Sequence, residues 1–211
     1  EKGADLVINS DPDADRIGVA SKIKLGSNDV RFLTGNQLGI LLTKFLLKKK
    51  KESGELKSSN LILETYVTTS LISKIVQSYG IKVVDDLLVG FKFIAEIIEG
   101  LNNKNDFLFA AEESLGYLAG SFVRDKDASI AALLASEMAS ELKDQGKTLV
   151  DYLDEIYTEY GYFKNILNMV ELPGKEGAGN IRKIMLGLRN HDWSEIGGKK
   201  VLRVIDRLPE E

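Results

Sequence analysis

Short apolar segments alternate with longer amphipathic segments through the middle of this 211-residue chain. The apolar segments predict strands at residues 61–63, 81–84 and 107–110. The amphipathic segments predict helices at residues 69–79, 91–101, 127–143 and 149–160. Strands that alternate with helices of this length indicate a layered α/β fold.

The two ends of the chain have different rhythms. Strands are predicted at residues 5–9, 17–23 and 30–33, which form a β-hairpin and its extension. Thr34 is the expected N-cap of a long helix at residues 37–50. After Gly161, a strand at 163–171, a helix at 181–188 and a strand at 200–205 predict the beginning of a separate domain.

The composition excludes several classes of protein. A net charge of -4 argues against a nucleic-acid surface, which would be basic. Cysteine is absent, so neither a disulfide framework nor a thiolate metal site is possible, and this suits a reducing cytoplasm. No apolar run approaches the roughly 20 residues that span a bilayer, and no signal peptide is recognised. The chain begins without Met, and both ends read as if cut from a longer protein.

Three aspartates alternate directly after the first predicted strand, at residues 11–16 with the sequence DPDADR. In an extended segment, side chains two residues apart point to the same side, so the carboxylates are expected to converge. They would then repel one another strongly without a cation. Mg²⁺ prefers oxygen ligands and keeps positions open for phosphate, so the run predicts a magnesium site at Asp11, Asp13 and Asp15.

Other interpretations of this run are weaker. Asp and Pro are common in solvated turns, but three alternating aspartates exceed what a turn needs. A calcium-binding EF-hand fails twice, because Arg16 stands where Gly is required and Lys22 stands where Glu is required. A phosphatase with Asp11 as its nucleophile is a more distant competitor. Arg16 after the three aspartates favours metal ligation, with its guanidinium holding a phosphate oxygen.

A second polar group follows the predicted strand at 107–110, in the sequence AAEESLGY at residues 110–117. Ligands bind at this end of the strands in open α/β sheets. The carboxylates of Glu112 and Glu113, with the hydroxyl of Ser114, suit a polyol, because sugar hydroxyls can donate to carboxylates. An acidic turn that caps the next segment explains the same residues equally well.

Two further segments carry cations. Gly90 permits close backbone approach and Lys92 offers a charge for phosphate, although a glycine at the start of an amphipathic helix is ordinary. Arg124 and Lys126 precede the helix predicted at 127–143, whose N-terminus would attract anions. The acidic residues between them are explained most economically as an N-cap.

These four segments, in this order, resemble those of the α-D-phosphohexomutases, the phosphoglucomutase and phosphomannomutase superfamily. Residues 11–16 resemble the family's magnesium loop, and residues 90–92 resemble a glycine–lysine segment of its domain 3. Residues 112–114 resemble its sugar-recognition loop, and residues 124–127 its phosphate-facing segment. The resemblance covers nearly the whole chain. It implies a mixed β-sheet flanked by helices, of the domain 3 type, with an N-terminal β-hairpin that carries the metal loop and a C-terminal partial α/β segment.

The resemblance also implies roles for single residues. Asp11, Asp13 and Asp15 would ligate Mg²⁺, and Arg16 and Lys126 would act on the phosphate being transferred. The substrate-binding residues would be Gly90, Lys92, Glu112, Ser114 and Arg124. In this family a phosphoserine donates its phosphoryl group to a hexose monophosphate, and the resulting bisphosphate returns the other phosphoryl group. The metal and the cations would neutralise the phosphoryl oxygens.

The chain also departs from the family pattern. It contains neither a Ser-His-Asn-Pro loop, which carries the catalytic serine, nor an Arg-x-Ser-Gly-Thr phosphate loop. Ser10 precedes the metal loop and is no substitute, so the chain alone is expected to be inactive. Ala111 replaces the commoner glycine. The Glu-Glu-Ser form, followed by Gly and Tyr, is closer to phosphoglucomutases and phosphopentomutase-like relatives than to enzymes with a Met-Ser form.

The resulting expectation is a piece of a Mg²⁺-dependent mutase that interconverts hexose 1-phosphate and 6-phosphate, with glucose as the expected sugar. Residues 1–33 would end domain 2, residues 34–162 would form domain 3, and residues 163–211 would be a linker and the start of domain 4. The expected partners are the hexose phosphate and the remaining domains of the same polypeptide, with no nucleic acid and no membrane. A non-catalytic module that binds metal or sugar phosphate, or phosphopentomutase or phosphomannomutase activity in the intact protein, stays open.

Overall fold

The computed structural model describes residues 3–206, which form two units, one ending at Asn165 and the next beginning at Ile166. The first unit opens with a three-stranded antiparallel sheet in the order β1-β2-β3. Its strands are β1 (Leu6–Ser10), β2 (Ile17–Lys22) and β3 (Val30–Leu33). These are the strands that the N-terminal sequence predicted.

The main sheet has four strands in the order β5-β4-β6-β7. They are β4 (Leu61–Thr65), β5 (Lys82–Leu87), β6 (Phe107–Glu112) and β7 (Gly116–Ala119). Strand β4 pairs in parallel with β5 and β6, whereas β7 pairs antiparallel with β6. The mixed sheet confirms the predicted α/β fold class. Strand β7 was not predicted; its first two residues, Gly116 and Tyr117, lie inside the polar motif that follows β6.

Helices cover both faces of the main sheet. They are α1 (Gly35–Glu52), α2 (Leu71–Ser78), α3 (Phe91–Gly100), α4 (Ala128–Asp144) and α5 (Leu149–Tyr160). Helix α3 buries Ile94 and Ile98 against the Leu63 face of the sheet. The other face packs through Ile62 into the larger core, which contains residues of α1, α2, α4 and α5 and of the N-terminal sheet. The first unit is therefore an α/β/α sandwich that shares its core with the N-terminal strands.

Helix α1 begins where the sequence predicted its cap. The Thr34 hydroxyl accepts the backbone N–H of Gln37 at 3.2 Å, and the Gln37 side chain accepts the backbone N–H of Thr34 at 3.1 Å. This reciprocal pair satisfies two N–H groups that a helix start leaves without partners. The cap fixes the helix start next to the loop that follows β6, as described below.

The second unit contains α6 (Gly174–Arg189) and a short hairpin of β8 (Glu195–Ile196) and β9 (Lys199–Lys200). The strand predicted at residues 163–171 is wrong, and of the strand predicted at 200–205 only its first residue is in a strand. Ile166 and Leu167 are largely exposed. Apolar alternation alone does not form a strand, because its backbone groups need a neighbouring strand. Within residues 3–206, no helix is long and apolar enough to cross a membrane.

Candidate active site

The aspartate loop, residues 11–16, joins β1 to β2 as a tight turn. The carbonyl oxygen of Asp11 accepts the N–H of Ala14 at 3.1 Å, and Ala14 has a φ of 55°. The Asp11 carboxylate accepts the N–H groups of Asp15 at 3.2 Å and Arg16 at 3.3 Å. Desolvation acts to raise the pKa of Asp11, but these backbone hydrogen bonds outweigh it and hold the pKa below its ordinary value.

The loop is not extended, so the expected convergence of three carboxylates on one side is not observed. Among residues 3–206, no three Asp, Glu or His side chains are grouped so as to hold a metal ion. The Asp11 carboxylate points to backbone N–H groups of the same loop. The Asp15 carboxylate forms ion pairs with Arg16 and Lys126. The Asp13 side chain is exposed and makes no hydrogen bond or ion pair with the described residues. The magnesium site at this loop stays a prediction.

Lys126 connects the aspartate loop to the start of α4. Its ammonium lies 3.0 Å from the Asp15 carboxylate and 3.0 Å from that of Asp125, and 5.5 Å from the centre of the Phe91 ring. Desolvation acts to lower the pKa of Lys126, but the two carboxylates outweigh it and raise the pKa. The N–H of Ala128 also donates to the carbonyl oxygen of Ala14 at 3.0 Å, so the helix start is fixed to the loop.

Glu112 ends β6 and is only 4% exposed. Its carboxylate accepts the N–H of Gly90 at 3.1 Å, where Gly90 has a φ of 124° that favours glycine. Burial raises the pKa of Glu112, and the nearby charge of Glu113 adds to this effect. The Gly90 hydrogen bond and the charge of Lys126 act in the opposite direction. Glu112 is thus a desolvated carboxyl group whose partners favour its charged form.

Gly116 is the point where these segments meet. A Cβ atom placed on Gly116 would lie 2.2 Å from Cδ of Lys126 and 3.3 Å from the Glu112 carboxylate. Gly116 also forms a β-bridge with Arg16, whose guanidinium lies 3.9 Å from the Asp15 carboxylate. The predicted site residues that the structure brings together here are Asp11, Asp15, Arg16, Gly90, Glu112 and Lys126. The absent side chain of Gly116 leaves room for the stem of Lys126.

The remaining predicted residues have other surroundings. Lys92 is exposed in the first turn of α3, with its ammonium 4.9 Å from the Phe93 ring centre. Arg124 pairs with Glu99 of α3 at 2.9 Å and also donates to carbonyl oxygens of its own loop. Ser114 lies half-buried in the turn between β6 and β7. The structure therefore holds Arg124 against α3, and its role in binding substrate stays a prediction.

Three contacts beside the site were missed from the sequence. The Tyr117 hydroxyl donates to the carbonyl oxygen of Gly35 at 2.7 Å, which ties β7 to the start of α1. A Cβ atom on Gly35 would lie 1.9 Å from the carbonyl oxygen of Glu113. The Thr65 hydroxyl at the end of β4 donates to the Glu113 carboxylate at 3.4 Å. The Gly-Tyr pair was visible in the motif, but its role depends on a contact with a distant helix.

Comparisons with known proteins point to one family. A family model described as "Phosphoglucomutase/phosphomannomutase, alpha/beta/alpha domain III" matches residues 34–160. Phosphoglucomutases from Staphylococcus aureus strains N315 and MRSA252 are 38% identical over 208 residues, which is 99% of this chain and 36% of each relative. The chain thus spans little more than a third of the length of these curated relatives.

Solved structures show the same fold. A putative phosphomannomutase from Thermus thermophilus aligns with a TM-score of 0.56 and 24% identity, over 74% of this chain and 31% of that one. The phosphoglucomutase parafusin from Paramecium aligns with a TM-score of 0.54 and 20% identity, over 75% of this chain and 25% of that one. Because the domain III model matches more than half of its residues, this chain belongs to the phosphoglucomutase/phosphomannomutase family.

Proposed function

We propose that this chain supplies the metal loop and the sugar-recognition part of a Mg²⁺-dependent mutase that interconverts hexose 1-phosphate and hexose 6-phosphate, with glucose as the sugar. The supporting observation is the position of Lys126, whose stem lies against Gly116, whose ammonium pairs with the Asp15 carboxylate, and whose charge acts on Glu112. This arrangement puts a cation for phosphate next to a buried carboxylate for sugar hydroxyls.

In this proposal Glu112 binds the sugar hydroxyls of the substrate, and Arg16 binds its phosphate. Glu112 is held by Gly90 and buried, so its carboxylate can accept hydrogen bonds from sugar hydroxyls with little reorientation. The guanidinium of Arg16 is half-exposed at the edge of the aspartate loop. It can therefore present two N–H groups to phosphate oxygens. Ser114 adds a hydroxyl in the turn that follows Glu112.

The donor set of the aspartate loop suits Mg²⁺, because Asp11, Asp13 and Asp15 are three oxygen ligands on one short turn, although their carboxylates do not converge among the described residues. These residues would hold the ion, which would neutralise charge on the transferring phosphoryl group. Lys126 and Arg16 hold the phosphate, and Glu112 orients the sugar. The burial of Glu112 excludes water from its carboxylate and strengthens its hydrogen bonds.

This chain would not supply the phosphoryl donor. Its 211 residues contain no Ser-His-Asn-Pro segment, so the phosphoserine would come from other domains of the same polypeptide. Residues 1–33 would then end domain 2, residues 34–162 would be domain 3, and residues 163–211 would lead into domain 4. We expect the cytoplasm as the location, which suits the absence of cysteine.

The test compares this chain with a longer protein that contains it. The longer protein should convert glucose 1-phosphate to glucose 6-phosphate with Mg²⁺, measured by ³¹P NMR. The chain alone should bind glucose 6-phosphate by calorimetry without converting it, and Glu112→Gln should weaken that binding. Failure of both proteins to bind either glucose phosphate would refute the proposal. Binding without conversion by the longer protein would favour a non-catalytic binding module. Faster conversion of a mannose or pentose phosphate would reassign the sugar.

A further inference from the structure

A second buried carboxyl group lies on the opposite face of the main sheet from Glu112. Glu64 of β4 pairs with Ala111 of β6, and its carboxyl group contacts Ser73 of α2. Glu64 is 1% exposed, and one of its carboxyl oxygens, Oε2, has no hydrogen-bond partner. The other, Oε1, lies 2.6 Å from the hydroxyl oxygen of Ser73, which itself lies 2.6 Å from a carboxyl oxygen of Asp85 on β5.

The two contacts among Glu64, Ser73 and Asp85 need two hydrogen atoms. A serine hydroxyl has one hydrogen and can donate it to one acceptor only. Both contacts of Ser73 have the length of a short O–H···O hydrogen bond. If both carboxyl groups were ionised, one of the two contacts would join two oxygens with no hydrogen between them. One of the two carboxyl groups must therefore provide the second hydrogen.

Burial decides which carboxyl group keeps its proton. Asp85 is exposed, whereas Glu64 is buried and would leave a charged oxygen without any partner if it were ionised. Desolvation raises the pKa of Glu64 to about 8; the hydrogen bond with Ser73 opposes this effect, and the nearby charge of Asp85 adds to it.

Within residues 3–206, no cation on the neighbouring elements α2, β5 and β6 lowers the pKa of Glu64. On α2, the ammonium of Lys74 is bound to the carbonyl oxygen of Tyr160. On β6, the paired residue is Ala111. On β5, Asp85 and Asp86 both lie opposite Glu64, because Leu63 pairs with Val84 but Thr65 pairs with Leu87. Such a bulge re-aims a side chain, and here it accompanies the contact between Asp85 and Ser73.

We propose that Glu64 is a protonated positioning residue, which donates its hydrogen to Ser73 while Ser73 donates to Asp85, and so fastens β5 to β4 and α2. Strand β5 leads within three residues from Leu87 to Gly90, whose N–H holds the Glu112 carboxylate. The hydrogen bonds from Glu64 through Ser73 to Asp85, called the relay below, thus hold the strand that positions one side of the candidate site. This inference goes beyond the proposed function and does not depend on it.

The relay has a pH dependence with a definite sign. Glu64 ionises near its ordinary pKa of 4.5 in the unfolded chain and at about 8 in the folded chain. Between pH 4.5 and about 8 the folded state holds one more proton than the unfolded state. The stability that comes from this proton is fully present below pH 4.5 and is lost as the pH rises through this range. Relative to Glu64→Gln, the unfolding equilibrium constant should rise about tenfold per pH unit there, and level off above it.

The direct test is a ¹³C NMR titration of the Glu64 carboxyl carbon in the unmodified chain, with the signal assigned by its loss in Glu64→Gln. The expected midpoint is well above 4.5 and near 8. A midpoint at or below 4.5 would overturn the proposal, since Glu64 would then be charged at neutral pH. This measurement decides the question even if the variant folds poorly, because the signal can also be assigned by sequential correlation.

The positioning role has its own readout in amide exchange at Gly90. As the pH passes through the Glu64 midpoint, Gly90 exchange in the unmodified chain should accelerate beyond its intrinsic base-catalysed rise. In Glu64→Gln, whose amide can still donate to Ser73, this extra acceleration should be absent. Titration of Glu112 would strengthen its bond to Gly90 with rising pH, so it cannot imitate the effect. Equal exchange in the two proteins would overturn the positioning role.

Discussion

The ammonium of Lys126 lies 3.0 Å from the carboxylate of Asp15, and this ion pair joins the turn between β1 and β2 to the start of α4. The Lys126 side chain is only 11% exposed, and its stem fills the space above Gly116. Partial burial makes the pair stronger than a surface ion pair. The aspartate loop and the start of β7 are therefore joined through one side chain.

Lys126→Met should weaken glucose 6-phosphate binding by about 1.5–3 kcal/mol, because a charge-assisted hydrogen bond to phosphate is lost while the apolar stem is kept. Calorimetry on the chain measures this loss. Lys24→Met is the matched control, since Lys24 is an exposed lysine in the turn between β2 and β3. Equal affinities for the two variants would show that Lys126 serves the fold only.

Gly35→Ala should destabilise the chain by about 1–3 kcal/mol, because its Cβ would lie 1.9 Å from the carbonyl oxygen of Glu113 and backbone must move. Urea unfolding measures the change. Gly100→Ala is the control, since no atom lies within 4 Å of its Cβ position, and alanine there should be neutral or stabilising by up to about 1 kcal/mol. Equal effects at both positions would contradict the close packing of α1 on the turn.

The fold was largely predictable because its elements follow local patterns. Strand β3 and helix α5 have the predicted bounds, since apolar periodicity, turn residues and caps all agreed there. The geometry of the aspartate loop was not predictable from alternation. Ala14 has a left-handed backbone conformation, and the Asp11 carboxylate accepts the backbone N–H of Asp15. The loop is therefore a turn instead of the expected extended segment.

Contacts between segments that are distant in sequence also could not be predicted. Lys126 was identified as a phosphate-facing residue, but its pairing with Asp15 needs the placement of α4 on the N-terminal sheet. The packing of Glu113 on Gly35 could not be predicted, because nothing near Gly35 in sequence indicates it. Glu64 follows three apolar residues in β4. The contacts of its carboxyl group depend on how α2 and β5 pack against β4, which the local sequence does not show.

Asp13→Asn should weaken Mg²⁺ binding by at least about tenfold, because a proposed carboxylate ligand is lost. Stability should be unchanged, because Asp13 is exposed and makes no hydrogen bond or ion pair with the described residues. Titration of the chain with Mg²⁺, followed by calorimetry, measures affinity, and urea unfolding measures stability. Asp29→Asn, at an exposed aspartate in the turn before β3, is the control. Unchanged Mg²⁺ affinity in Asp13→Asn would remove Asp13 from the proposed ligands.

Asp5→Asn should reduce stability at neutral pH but not in acid. The Asp5 carboxylate lies 2.7 Å from the ammonium of Lys143 on α4 and 3.2 Å from that of Lys22 on β2. These hydrogen bonds, with Lys143 the larger contribution, hold the pKa of Asp5 below its ordinary value of 3.8. A lowered pKa stabilises the folded chain above 3.8, and this contribution is lost as the pH falls through the folded value.

Urea unfolding of both proteins across this range measures the difference, which should be largest at neutral pH and disappear in acid. Added salt should reduce it, because Lys143 is exposed and its attraction to Asp5 is screened. A difference that stayed constant with pH would mean that Asp5 acts by packing instead of charge. The Asp5–Lys143 pair would then contribute no charge-dependent stability, and the Asp15–Lys126 pair would remain as an ionic contact between the aspartate loop and the segment before α4.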